Sequence, residues 1–137
     1  MLDFTNLNYF AISAAWVINI VIGGWWYSPA GFGKQWSRLS GVDMMKTPKQ
    51  ETNRAIMFVA VSSLLQAFAL AVALNSLQVT TTQNGLVVAL FLWFGFVAIT
   101  TVGNTLYQRQ SWKFLWLNAS YFLVVMAING MLLSLWK

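Results

Sequence analysis

Apolar residues fill four long stretches of the chain, Tyr9 to Trp26, Ala55 to Leu77, Gly85 to Leu106 and Trp112 to Trp136, while polar residues gather in the connections and at the ends. A helix that crosses a bilayer needs about 20 mostly apolar residues, and each stretch is close to that length. The pattern predicts an all-α fold: one integral membrane four-helix bundle over residues 1–137, of up-down topology, with spans at about 9–26, 55–77, 85–106 and 112–136. What remains is one loop of moderate size, residues 28–54, two short connections and short tails. That is too little polar chain for a separate soluble domain of about 50 residues or more.

The loop has a pattern of its own. Pro29 drives Ser28 out of the helical region, so the first span should stop near Tyr27, and Gly31 and Gly33 permit a tight change of direction. Beyond the turn, Phe32, Trp36 and Leu39 share one helical face while Lys34, Ser37 and Arg38 project from the other. A short amphipathic helix is expected here, anchored in the interface by Phe32, Trp36 and Leu39. Thr47, Pro48 and Gln50 then have the spacing of a capping box, with Thr47 as N-cap of a second long helix that starts outside the hydrocarbon.

Composition narrows the chemistry. The chain is 58% hydrophobic and 8% charged, with no Cys and no His. Thiol chemistry and imidazole catalysis are therefore ruled out. The only carboxylates, Asp3, Asp43 and Glu51, all lie outside the apolar stretches. Ionisable residues inside a membrane mark proton relays and ion-coupled carriers, and none is found within a span. The reading is of a protein that is not an enzyme, with no cofactor and no metal site. Of the eight cations, Lys34, Arg38, Lys46, Lys49, Arg54, Arg109 and Lys113 fall in or beside the first and third connections, and only Lys137 lies on the other side. The positive-inside rule then places both connections in the cytoplasm and both termini outside, in a cytoplasmic (inner) membrane. The first span lacks a basic segment ahead of it and is expected to be retained. A basic rim beside anionic lipid accounts for the high pI without nucleic acid as a partner.

Small and polar residues recur every fourth position, as Ala11, Ala15, Asn19 and Gly23 in the first span and as Ser63, Ala67, Ala71 and Asn75 in the second. Such ridges let membrane helices approach closely. The third span offers Gly95, Gly103 and the row Thr100, Asn104 and Gln108, and the fourth Asn118, Ser120, Asn129 and Gly130. Depth along the spans pairs Asn19 with Gln66 at the midplane and Asn104 with Asn118 nearer the cytoplasm. Two readings of these amides stand side by side. They are interhelical hydrogen bonds, or Tyr27, Ser28, Thr100, Asn104 and Asn118 line a polar cavity open to the cytoplasm. Trp16 and Trp93 sit in mid-span, where an indole N–H needs a partner. The other reading of this pair is a hydrophobic cofactor such as a quinone.

The run Trp26-Tyr27-Ser28-Pro29, followed by Phe32-Gly33-Lys34 and Trp36, is similar to a hallmark of the small membrane family called domain of unknown function 1761. Asn19, the Gly-rich third span with Thr101 and Asn104, the short basic link and the terminal tryptophan resemble it as well, so the likeness runs nearly the whole length. It implies a four-span fold and carries over no catalytic or binding residue. The basic linker from Met44 to Arg54 follows no pattern of that family. Two functions from different classes follow: a bundle that binds a partner protein or membrane lipids, itself able to be a homo-oligomer, or a small-solute channel or uniporter acting as a homo-oligomer.

Overall fold

The computed structural model describes all 137 residues. It is all-helical, with α1 Tyr9–Trp26, α2 Gly33–Ser40, α3 Lys49–Ser76, α4 Thr82–Tyr107 and α5 Trp112–Leu135. All but α2 are long and apolar enough to cross a membrane. Three of these four start on a side-chain cap. Asn8 accepts from Ala11 N at 3.1 Å, Thr81 from Asn84 N at 3.2 Å and Ser111 from Phe114 N at 3.2 Å. Helix α3 is the exception, because the expected cap at Thr47 does not form. Its hydroxyl donates instead to Asp43 O at 2.9 Å, inside a turn that Asp43 also closes with Lys46 N and Thr47 N, and Pro48 takes the cap position.

Helix α5 is the centre of the bundle and packs on α1, α3 and α4. The four-residue ridge of α1 faces inward as expected: Ala11, Ala15 and Asn19 are buried, and a Cβ at Gly23 would meet the Tyr121 hydroxyl at 2.8 Å. In α3, Ala67 and Ala71 are buried likewise. Asn75 sits at the end carrying both termini, where its amide donates to the carbonyls of Asp3 (3.2 Å) and Thr5 (2.9 Å). That contact, with Asp3 N donating to Ser76 Oγ at 2.7 Å, ties the N-terminal tail over α3. Bonds from the Thr5 hydroxyl and backbone N–H hold the exposed Asp3 carboxyl below its ordinary pKa.

The closest helix pair is α4 with α5, and it depends on two glycines. A side chain at Gly85 would run into the Gly130 carbonyl and Ser134, and one at Gly130 into the Gly85 carbonyl and, at 2.6 Å, the Ala89 methyl. Gly95 and Gly103, which the sequence pattern also offers as contact points, face open space. A change of winding explains the difference. The inward row of α4 steps by four: Gly85, Ala89, Trp93, Val97, Thr101 and Thr105 are all buried or half-buried. At about 3.6 residues per turn such a row drifts roughly 40° per step and would end on the opposite face. Residues Trp93–Ala98 instead wind as a wider π turn, which takes up much of that drift and keeps the row on α5. The same change turns Thr100 and Asn104 outward.

Replacing Gly130 with Ala should destabilise the bundle by about 1 to 3 kcal/mol, because the clash is with backbone and a packed methyl. The same change at Gly103, which meets nothing, should be neutral or slightly stabilising through helix propensity. Thermal unfolding of the two variants in detergent distinguishes them, and equal midpoints would contradict the packing described.

Candidate functional site

Polar side chains converge at Asn19, which is buried on α1. Its Oδ1 accepts from Asn129 Nδ2 of α5 at 2.6 Å, and its Nδ2 donates to Ser63 O of α3 at 3.3 Å. Its backbone carbonyl accepts from Tyr121 Oη at 3.1 Å. One asparagine therefore joins three spans. The expected midplane pair of Asn19 with Gln66 is corrected: Gln66 takes no part, and the partner comes from α5. Depth along the chain is only an axial coordinate, and the inward position on the facing helix belongs to Asn129. The Asn129 Oδ1 is left without a hydrogen-bond partner, so the clamp is asymmetric.

Three half-buried indoles extend this pattern. Trp16 donates to Ala60 O of α3 at 2.9 Å, Trp93 to Ala119 O of α5 at 2.9 Å and Trp26 to Leu117 O of α5 at 3.2 Å. A carbonyl inside a helix retains a lone pair for such a donor. Trp16 and Trp93 thus cross-link different helix pairs, each with its polar atom satisfied.

The five residues of the expected polar cavity do not come together. Tyr27 donates to Asn118 Oδ1 at 2.9 Å, and that pair is real. Burial keeps the Tyr27 phenol protonated by raising its pKa. Ser28 Oγ bonds locally to Trp25 O at 2.7 Å. Thr100 and Asn104 stand exposed on α4, turned away by the π winding. Tyr121, which the sequence reading passed over, fills the space instead: its ring packs on Tyr27 at 5.5 Å and on Trp26 at 6.1 Å. The available signal was a lone tyrosine in mid-span, whose hydroxyl has to find a partner.

The anchor residues Phe32, Trp36 and Leu39 keep one face, but that face is turned largely onto the bundle. Phe32 caps α2 from outside the helix and stacks on Trp26 with centroids 4.7 Å apart, and Trp36 meets Tyr27 at 6.2 Å. The fold-back is tight. Phe32 N donates to Trp26 O at 2.6 Å and Gly33 N to Ser28 O at 2.9 Å, and side chains at Gly31 or Gly33 would strike these carbonyls. Between α2 and the first turns of α5 the fold-back leaves a half-open cleft of about 520 Å³. Its apolar walls are Trp26, Phe32, Leu39, Trp116 and Leu117, and its polar lining is Gln35, Arg38, Lys113 and Ser120. A second hollow, at the opposite end beside Asn75 and Trp136, holds only about 30 Å³.

Substituting Asn19 and Asn129 singly and together by Ala should give a coupling energy of about 0.6 to 1.7 kcal/mol in a double-mutant cycle, the range for membrane hydrogen bonds. Gln66→Leu, outside the clamp, should change stability little. A coupling of zero by chemical unfolding in detergent would remove Asn19 as the hub.

Neither a curated protein nor a solved structure matches the chain. One family model does, described as a protein of unknown function (DUF1761), and it matches residues 10–134, from the second residue of α1 to the last turn of α5. With that match across the whole bundle, the chain belongs to the DUF1761 family.

Proposed function

We propose that the protein is a non-catalytic bundle of the cytoplasmic membrane, with both termini outside, that holds a membrane lipid in the cleft between α2 and α5. The observation that carries this reading is the cleft itself. Its volume of about 520 Å³ falls in the range of small-molecule sites. Its walls are mostly aromatic and aliphatic, and it lies at the end of the bundle where the basic connections gather. The asymmetry of the cations supports the orientation, which puts the cleft at the level of the cytoplasmic headgroups.

An enzymatic role has little to draw on. Asp43 and Glu51 lie outside the lining of the cleft, Asp3 is tied to the opposite end, and no nucleophile with a base is at hand. A solute path would need a polar lining, yet Thr100 and Asn104 face outward and Asn19, Asn118 and Asn129 are engaged across helix contacts.

Two measurements test the reading. Because the chain has no Cys, single cysteines at Ser40 and Gln83 report sidedness. In intact cells an impermeant maleimide should label the one at Gln83 and leave the one at Ser40 unlabelled until the membrane is opened. The reverse would invert the topology. Native mass spectrometry of the detergent-purified protein should show retained lipid, and Ser120→Trp, which fills the cleft, should lose it with the melting temperature little changed. Equal retention by that variant would place lipid elsewhere.

A further inference from the structure

We propose that the α2–α5 cleft selects its lipid by a phosphate-bearing anionic headgroup, gripped between Arg38 and Lys113 over an apolar floor. The inference rests on the lipid-binding reading above and specifies the chemistry that site takes.

Charge is the first ground. Two cations line one cleft and no Asp or Glu lines it with them. Two of the three carboxylates are committed elsewhere. Asp3 lies at the far end of the bundle, bonded to Thr5, and the Asp43 carboxylate accepts from Met45 N at 2.9 Å within its own turn. Two like charges facing a shared apolar wall repel unless an anion lies between them. Arg38 brings a planar fork of donors that fits two oxygens of one phosphate, and Lys113 brings a compact charge.

Position is the second. Lys113 sits in the first turn of α5, behind the Ser111 cap. There the end of a 24-residue helix adds its own positive potential. The Gln35 amide and the Ser120 hydroxyl are on the same lining, and both can donate to ester or phosphate oxygens. The third ground is what surrounds these donors. A soluble phosphate would have no use for Trp26, Phe32, Leu39, Trp116 and Leu117, which make up more than half of the lining. A glycerophospholipid uses both parts, its phosphate between the cations and its glycerol and upper acyl chain against the rings. Trp116, 60% exposed, is on the outer rim where the chain would leave toward the bilayer.

The test uses the full chain in detergent micelles and native mass spectrometry, with phosphatidylglycerol, phosphatidic acid, phosphatidylcholine and diacylglycerol offered at equal concentration. The two anionic lipids should be retained about tenfold over phosphatidylcholine and more over diacylglycerol. Arg38→Gln and Lys113→Gln should each cut that preference severalfold and together abolish it. Lys34→Gln, on α2 but outside the cleft, should keep it. Melting curves confirm that the variants, changed at surface charges, remain folded. If all four lipids are retained alike and the charge variants change nothing, the phosphate proposal is overturned while lipid binding stands. If no lipid is retained, the underlying reading falls as well. If millimolar inorganic phosphate displaces the anionic lipids as effectively as phosphatidylglycerol does, and binds unaided with the same dependence on Arg38 and Lys113, the source is a soluble phosphate and the lipid assignment is wrong.

Discussion

Within hydrocarbon no water can take a hydrogen bond, so a polar group on a spanning helix is costly unless protein answers it. Asn19 concentrates that constraint. Its side chain binds Asn129 and Ser63, and its carbonyl takes the Tyr121 hydroxyl, so α1, α3 and α5 share one axial position. Lipid tails provide no hydrophobic drive between such helices, and shape and polar matching decide how they meet. The small residues of α1 at four-residue intervals on either side of Asn19 allow the approach that these bonds require. Trp16 and Trp26 then repeat the link above and below it, each donating to a backbone carbonyl of a neighbouring helix.

The fourth span joins through a different device. Helix α4 contributes no amide to the clamp and relies on the paired glycines Gly85 and Gly130 and on the Trp93 indole. Its π turn is the adjustment that lets an inward row spaced by four stay on α5 beyond Trp93. A straight helix with the same sequence would present Gly103, about five turns beyond Gly85, to the bundle and leave Thr105, now buried, toward lipid.

Much of the architecture can be read from the sequence because hydropathy, turn residues and charge asymmetry act locally. Tyr9–Trp26 as α1, the break at Ser28-Pro29 and the inward ridge of α1 need no knowledge of neighbours. Pairing is another matter. Asn19 and Gln66 share a depth, but depth does not say which face of α5 or α3 is turned inward, and Asn129 took the contact. The row Thr100–Asn104 was misassigned for a similar reason, since regular winding was assumed through a segment that is not regular. At Thr47 a competing local turn, closed by Asp43, claimed the hydroxyl that a capping box would have used. The cleft is invisible in the sequence because its two walls, at Arg38 and Lys113, lie 75 positions apart in the chain, and only the fold-back of α2 brings them together.

That fold-back links the motif most characteristic of the family likeness to the cleft beside α5. Trp26, Tyr27, Ser28, Phe32, Gly33 and Trp36 are used in making the turn: Phe32 packs at a tilt on Trp26, Trp36 meets Tyr27 edge-on, and the Ser28 carbonyl receives Gly33 N. Glycine is needed at 31 and 33 because any side chain there would meet these same carbonyls. Each of these residues thus has a conformational reason to be what it is. Their joint product is a short basic helix laid across the end of the bundle, with its apolar face toward α1 and α5 and Arg38 lining the half-open cleft. The whole motif is thus accounted for by the shape of the fold-back and by the cleft that this shape leaves beside α5.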